Sequence, residues 1–156
     1  MTNIEDNLRK HNIKIPKANK PVANYSPYIK TENLIFISGQ IPLVDGKILY
    51  TGKVNKDLEM ASAIKAAELC MLNSFAILNN ALENNLNLVR KCLKINVFIN
   101  STENFYDQPT VADGASDFIK TVMNPFGDHA RSAVSVNSLP KNATVEIDSV
   151  FEISID

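Results

Sequence analysis

Apolar positions recur along this chain with two different periods, and the switches between them mark its elements. Residues 1–24 hold a short amphipathic piece, Ile4 and Leu8, followed by "IKIPKANKPVANY". Pro16 and Pro21 forbid a continuous helix there and favour extended backbone. The stretch reads as an N-terminal arm over a single domain, residues 25–156. From Tyr28 the pattern turns β. "YIKT" and "NLIFISG" are short runs of the branched and aromatic residues that strands favour, punctuated by Glu32-Asn33. In "IPLVDGKILYTG" the pair Asp45-Gly46 is a two-residue hairpin signal.

The period then changes. Met60, Ile64, Ala67, Met71, Phe75, Leu78 and Leu82 fall on one stripe at helical spacing, which predicts a helix over about residues 57–84 with Asp57 as N-cap. Cys70 lies beside the stripe and reads as a buried, inert thiol. "CLKINVFIN" returns to alternation, with Leu93, Ile95, Val97 and Ile99 inward and Lys94 and Asn96 outward. A second helix follows in "STENFYDQPTVADGASDFIKTVM", with Pro109 in its first turn and Gly114 and Ala115 allowing close packing on the sheet.

Two final strands are expected around "ARSAVSV" and "TVEIDSVFEISI". In the last, Val145, Ile147, Phe151, Ile153 and Ile155 face one way, and Ser149 and Val150 break the period. The order β-β-β-α-β-α-β-β predicts an α+β fold: a mixed sheet with two helices packed on one face. The other face, carrying Phe98 and Ala133 besides its charges, must meet water or another subunit, and closed symmetry is the usual form of such an assembly.

Composition narrows the functional classes. The chain has 156 residues, 45% hydrophobic and 21% charged, as expected of an ordinary globular protein. A net charge of -1 supplies no basic field for nucleic acid or anionic membrane. No apolar run is read as a membrane span, and the polar start "MTNIEDNLRK" fits neither a secretory signal nor a transit peptide. Two cysteines, Cys70 and Cys92, are too few for a disulfide framework or a metal site, and a reduced cytoplasm is the expected compartment.

The candidate chemistry is concentrated at Arg131 and Glu146. With a turn near Leu139-Pro140, both would emerge on the same face of adjoining strands. A cross-strand ion pair is one reading, and it is worth little when exposed. The other reading is a pocket. Ala130, Ser132 and Ala133 leave room above a guanidinium whose planar fork suits a carboxylate. Ser38-Gly39-Gln40 ends a strand and is either a bulge or the lip of that pocket. Tyr28 is either an edge aromatic or a phenol aimed at a ligand. His129 has no nucleophile or metal-ligand partner at a defined spacing and reads as an exposed loop histidine.

"YSPYIKTENLIFISGQIPL", "KINVFINSTENF" and above all "HARSAVSVNSLPKNATVEID" resemble the RidA/YjgF family, also called endoribonuclease L-PSP or reactive intermediate deaminase proteins. The resemblance implies a chorismate-mutase-like fold, a homotrimer with pockets between subunits, and hydrolysis of enamines and imines to 2-keto acids and ammonia. No metal or organic cofactor is implied. Arg131 of the ARS motif would hold a small carboxylate substrate, and Glu146 would activate water. Tyr28, Ser38, Gly39 and Ala133 would line the pocket, with Tyr28 reaching in from a neighbour. Ala133 stands where many deaminating members carry a cysteine. Asp113 or Ala112 falls where the family has a pocket asparagine. Two alternatives from other classes are a non-catalytic carboxylate-binding module and an RNA-cleaving enzyme, the latter opposed by the charge balance.

Overall fold

Two tight turns set the first strands. β1 (Tyr28–Thr31) and β2 (Leu34–Gln40) pair antiparallel through Glu32-Asn33, with Glu32 at φ 48°. β3 (Leu43–Val44) and β4 (Lys47–Ile48) close on Asp45 and Gly46, at φ 50° and 76°, the left-handed pair that a two-residue hairpin favours. This hairpin forms a separate two-stranded sheet. The structure is a computed structural model that describes residues 3–20 and 23–155. Pro21 lies outside the described residues.

The main sheet adds β5 (Val89–Asn100), β6 (Ala130–Val136) and β7 (Val145–Ile153), in the order β1-β2-β7-β5-β6. β5 and β6 run parallel, which demands a crossover, and α3 (Gln108–Val122) supplies it. α2 (Met60–Ala81) packs beside α3 on the same face. The α+β architecture expected of the sequence is the one observed. Phe75 of α2 ties the layers together, meeting Phe118 of α3 and Phe151 of β7 edge-on at 5.3 and 5.5 Å. Each such contact contributes about 0.5–1.5 kcal/mol beyond simple burial. Gly114 lets the helices approach, because a Cβ there would sit 2.1 Å from the backbone oxygen of Ile64. Its close packing is thus against α2, not against the sheet.

α1 (Ile4–Lys10) opens the chain and sends Ile4 and Leu8 into the core. Asn7 donates to the carbonyls of Val122 and Asn124, satisfying acceptors that the end of α3 leaves open.

Several expectations are corrected. Asp57 does not cap α2, which begins after Glu59. It accepts from the Lys53 amide in the preceding turn. α2, at 22 residues, is long and apolar enough to cross a membrane, contrary to the reading of the sequence, and most of its apolar window is buried in this core. Along β7 the alternation is unbroken, because Ser149 takes an inward place and Val150 an outward one; Ile155 is exposed. Leu93 is only half-buried, since a register shift near Cys92 hands the inward position to the cysteine.

The largest correction concerns the last two strands. "NSLPKN" is not a hairpin. It contains a single 3₁₀ turn, Pro140–Asn142, on a connection that carries the chain from one side of β5 to the other. β6 and β7 therefore do not adjoin. The register sets Arg131 beside Ile95 and Glu146 beside Phe98. Ile95 faces the helices, and residues 95 and 98 of one strand point oppositely. Arg131 and Glu146 thus lie on opposite faces of the sheet. Ala133, opposite the buried Val97, faces the core and not the open side. Phe98 does lie on the open side, where Ile29, Phe36 and Val134 are 58%, 44% and 47% exposed.

Candidate active site

One half of the candidate site is a cleft of about 550 Å³ at the end of β2. Ser38, Gly39 and Glu146 line it together, with Tyr25, Pro27 and Asp148. Its geometry begins at a bulge. β2 leaves register with β7 between Ile37 and Gln40, and the Glu146 side chain lies across Gly39. A Cβ at position 39 would meet Glu146 Oε1 at 2.1 Å, so only glycine leaves that carboxylate its place. Ser38 Oγ donates to the Ser26 carbonyl at 2.7 Å, and the Ser38 amide donates to that of Pro27. These two bonds fasten residues 25–27 over the strand end and put Tyr25 and Pro27 at the cleft wall.

Glu146 is half-buried and forms no ion pair among the described residues. Burial raises its pKa above the ordinary glutamate value, and the nearby Asp148 carboxylate raises it further. Asp148 itself accepts from Asn96 Nδ2 at 2.8 Å. A carboxylate so placed takes up a proton more readily than an ordinary glutamate.

The other half is centred on Arg131, at the edge strand β6. Its NH1 donates to Asp113 Oδ1 at 2.8 Å and to Ser116 Oγ at 3.0 Å, and its NH2 to the Pro109 carbonyl at 3.4 Å. A depression of about 360 Å³ lies over it. The guanidinium is therefore already paired with an acid, not open as the small neighbours implied.

His129 is half-buried and belongs to this half, in contrast to the exposed loop position expected. Its Nδ1 lies 2.9 Å from the Gly127 carbonyl, which can only accept, so Nδ1 carries the proton. Nε2 is then an acceptor for the Ser116 hydroxyl at 2.9 Å.

Tyr28 stands opposite the inward-facing Ile37 and packs on the core, away from the cleft that Ser38 and Gly39 share. Tyr25, three residues earlier, is the tyrosine that lines it. Ala133 likewise packs on the core. Cys70 and Cys92 are buried, and burial lifts both thiols, that of Cys92 to about 12, so neither is a nucleophile. No group of three potential metal ligands occurs among the described residues.

The sequence profile of the YjgF/chorismate mutase-like, putative endoribonuclease family matches residues 5–152. The chain belongs to that family. Among its YjgF-family relatives, protein TCP17 of Trypanosoma cruzi is 38% identical over 149 residues, spanning 95% of this chain and 92% of the relative. A 2-iminobutanoate/2-iminopropanoate deaminase of Dermatophagoides farinae is 31% identical over 142 residues, 90% of this chain and 94% of that one. The crystal structure of the Agrobacterium tumefaciens protein Atu1372 superposes with a TM-score of 0.89 at 44% identity, covering 97% of this chain and 92% of that one.

Sequence reasoning missed Tyr25, Asp148 and the pairing of Arg131 with Asp113 and Ser116 in this YjgF-family site. A signal for the last was present. Residues 113 and 116 are three apart on a helix and share a face, and that helix is the crossover between β5 and β6.

Proposed function

We propose that this YjgF-family chain hydrolyses 2-imino acids to 2-keto acids and ammonia, in clefts formed between copies of itself. The observation that carries the reading is the Glu146 carboxylate, lifted in pKa and held over Gly39 in an open cleft, in no ion pair among the described residues. The kinship with a 2-iminobutanoate/2-iminopropanoate deaminase supports it.

Once its nitrogen is protonated, an imine carbon is electrophilic enough that position and one proton acceptor suffice. Glu146 takes a proton from water as the water oxygen bonds to that carbon. The proton then passes to nitrogen, the C–N bond breaks as the new hydroxyl gives its proton back to Glu146, and ammonia leaves with the keto acid remaining. Arg131 grips the substrate carboxylate.

In one chain Arg131 cannot serve the Glu146 cleft, because β5 separates the two and they point from opposite faces. A second copy resolves this. Arg131 sits on an edge strand, where a neighbour's cleft can reach it. A closed ring of three, the state the family resemblance implies, would also give the exposed Phe36 and Val134 a partner surface. Arg131→Ala is expected to abolish ammonia release from a freshly generated imino acid; full rate in that variant contradicts the assignment.

The second reading is a non-catalytic trimer that binds small carboxylates. The existing pair between Arg131 and Asp113 favours it, since a clamp already partnered binds reversibly without needing to turn anything over. Calorimetric binding of a keto acid with no accelerated imine hydrolysis selects that reading. RNA cleavage has less support, as the net charge of -1 gives no attraction for a polyanion.

A further inference from the structure

Resting on the reading of Arg131 as a carboxylate clamp, we infer that Asp113 is a built-in competitor for that clamp, a specificity-determining residue that weakens the hold on plain monocarboxylates such as the keto-acid product. The geometry is one of occupation. Asp113 Oδ1 takes NH1 at 2.8 Å, the same nitrogen that reaches Ser116 Oγ at 3.0 Å. A carboxylate gripped through the NH1/NH2 edge must displace Asp113, because the other NH1 hydrogen goes to Ser116, and one gripped through the Nε/NH2 edge must bind beside the Asp113 charge.

The guanidinium cannot easily swing aside to escape. Ser116 is 6% exposed and is held by His129, whose ring is fixed by the Gly127 carbonyl. Both Asp113 and Ser116 are carried on α3, so the latch and its anchor move together. Displacement is nonetheless cheap. The Asp113 side chain is 56% exposed against 25% for Arg131, which puts the acid on the solvent side of the pair, where a ligand arrives. Exposed pairs of this kind are weak, so Asp113 lowers affinity without preventing binding. When the product loosens, the same carboxylate recaptures Arg131.

The consequence distinguishes ligands by charge. An anion competes with Asp113 for the fork, whereas an uncharged analogue of the same shape does not. Calorimetry with 2-oxobutanoate and with its neutral amide reads this directly. Asp113→Asn and the shorter Asp113→Ser are each expected to tighten 2-oxobutanoate about three- to tenfold, the strength of a partly exposed ion pair, and to leave the amide unchanged. Asp117→Asn supplies the control. Asp117 borders the same depression one turn further along α3 and makes no bond to Arg131 among the described residues, so its variant stays within about twofold of the parent.

Equal tightening in Asp117→Asn means a general charge effect and overturns the inference. So does an unchanged affinity in both Asp113 variants while Arg131→Ala loses binding, a result that leaves the clamp standing. If Arg131→Ala binds 2-oxobutanoate as well as the parent does, the clamp itself is wrong and the competitor falls with it.

Discussion

The two halves of the candidate site differ in what their charges lack. Glu146 sits in a cleft, half-buried, with another carboxylate near and in no ion pair among the described residues, although Lys20 lines the same cleft. Arg131 lies on the opposite face of the sheet and is held by an acid, a hydroxyl and a carbonyl. The first half is electrostatically incomplete, and the second is complete but displaceable. A half-buried acid without a partner is held at some cost until something joins it. On the proposed deaminase reading, the contrast suits the Glu146 half to proton transfer and the Arg131 half to reversible anion binding.

The sharpest way to break that division is Glu146→Gln, which keeps the shape and removes the proton acceptor. Deaminase kcat is expected to fall about 100-fold or more, with KM nearly unchanged. A variant whose KM rises while kcat holds would place Glu146 in binding instead.

A smaller effect is expected at Gly39. Gly39→Ala places a methyl group where Glu146 Oε1 now lies, 2.1 Å from the built Cβ position. The carboxylate must move, and kcat should drop about tenfold through lost positioning. Keto-acid affinity, which the proposed clamp places on Arg131, should not change; a parallel loss of both would dissolve the distinction between the halves.

The smallest effect is on stability and follows from the raised pKa of Glu146. Because its folded pKa lies above the unfolded one, its favourable contribution is complete below the unfolded value and is lost as pH rises through the folded value. Glu146→Gln should therefore melt slightly higher than the parent at pH 7, by no more than about 2 °C given the exposure of the group. The difference should shrink as pH falls below the ordinary glutamate range. On the deaminase reading, the acid limb of the parent's kcat/KM should stand above that range and vanish in the variant.

Most of the fold was legible because its signals are local. Glu32-Asn33 and Asp45-Gly46 turn where polar pairs punctuate the strands, with Glu32, Asp45 and Gly46 in the left-handed region, and the α2 stripe reports its buried face. What stayed hidden depends on which strand lies beside which. Leu139-Pro140 looked like a hairpin turn, and periodicity cannot reveal that β5 lies between β6 and β7. The same gap sent Arg131 and Glu146 to one face. Ser38, Gly39 and Glu146 were legible as residues and do share a cleft. Tyr25 was not singled out, because its place depends on the bond from Ser38 to Ser26 and not on strand alternation.

Whether the halves meet only between copies is tested most directly by mixing two inactive variants. On the proposed reading, Arg131→Ala and Glu146→Gln chains, unfolded together in equal amounts and refolded, would form rings in which each cleft draws its arginine and glutamate from different copies. By chance about a quarter of those clefts receive both intact residues, so about a quarter of parent deaminase activity should return. No recovery above the separate variants, from rings shown to have exchanged subunits, contradicts a site shared between copies.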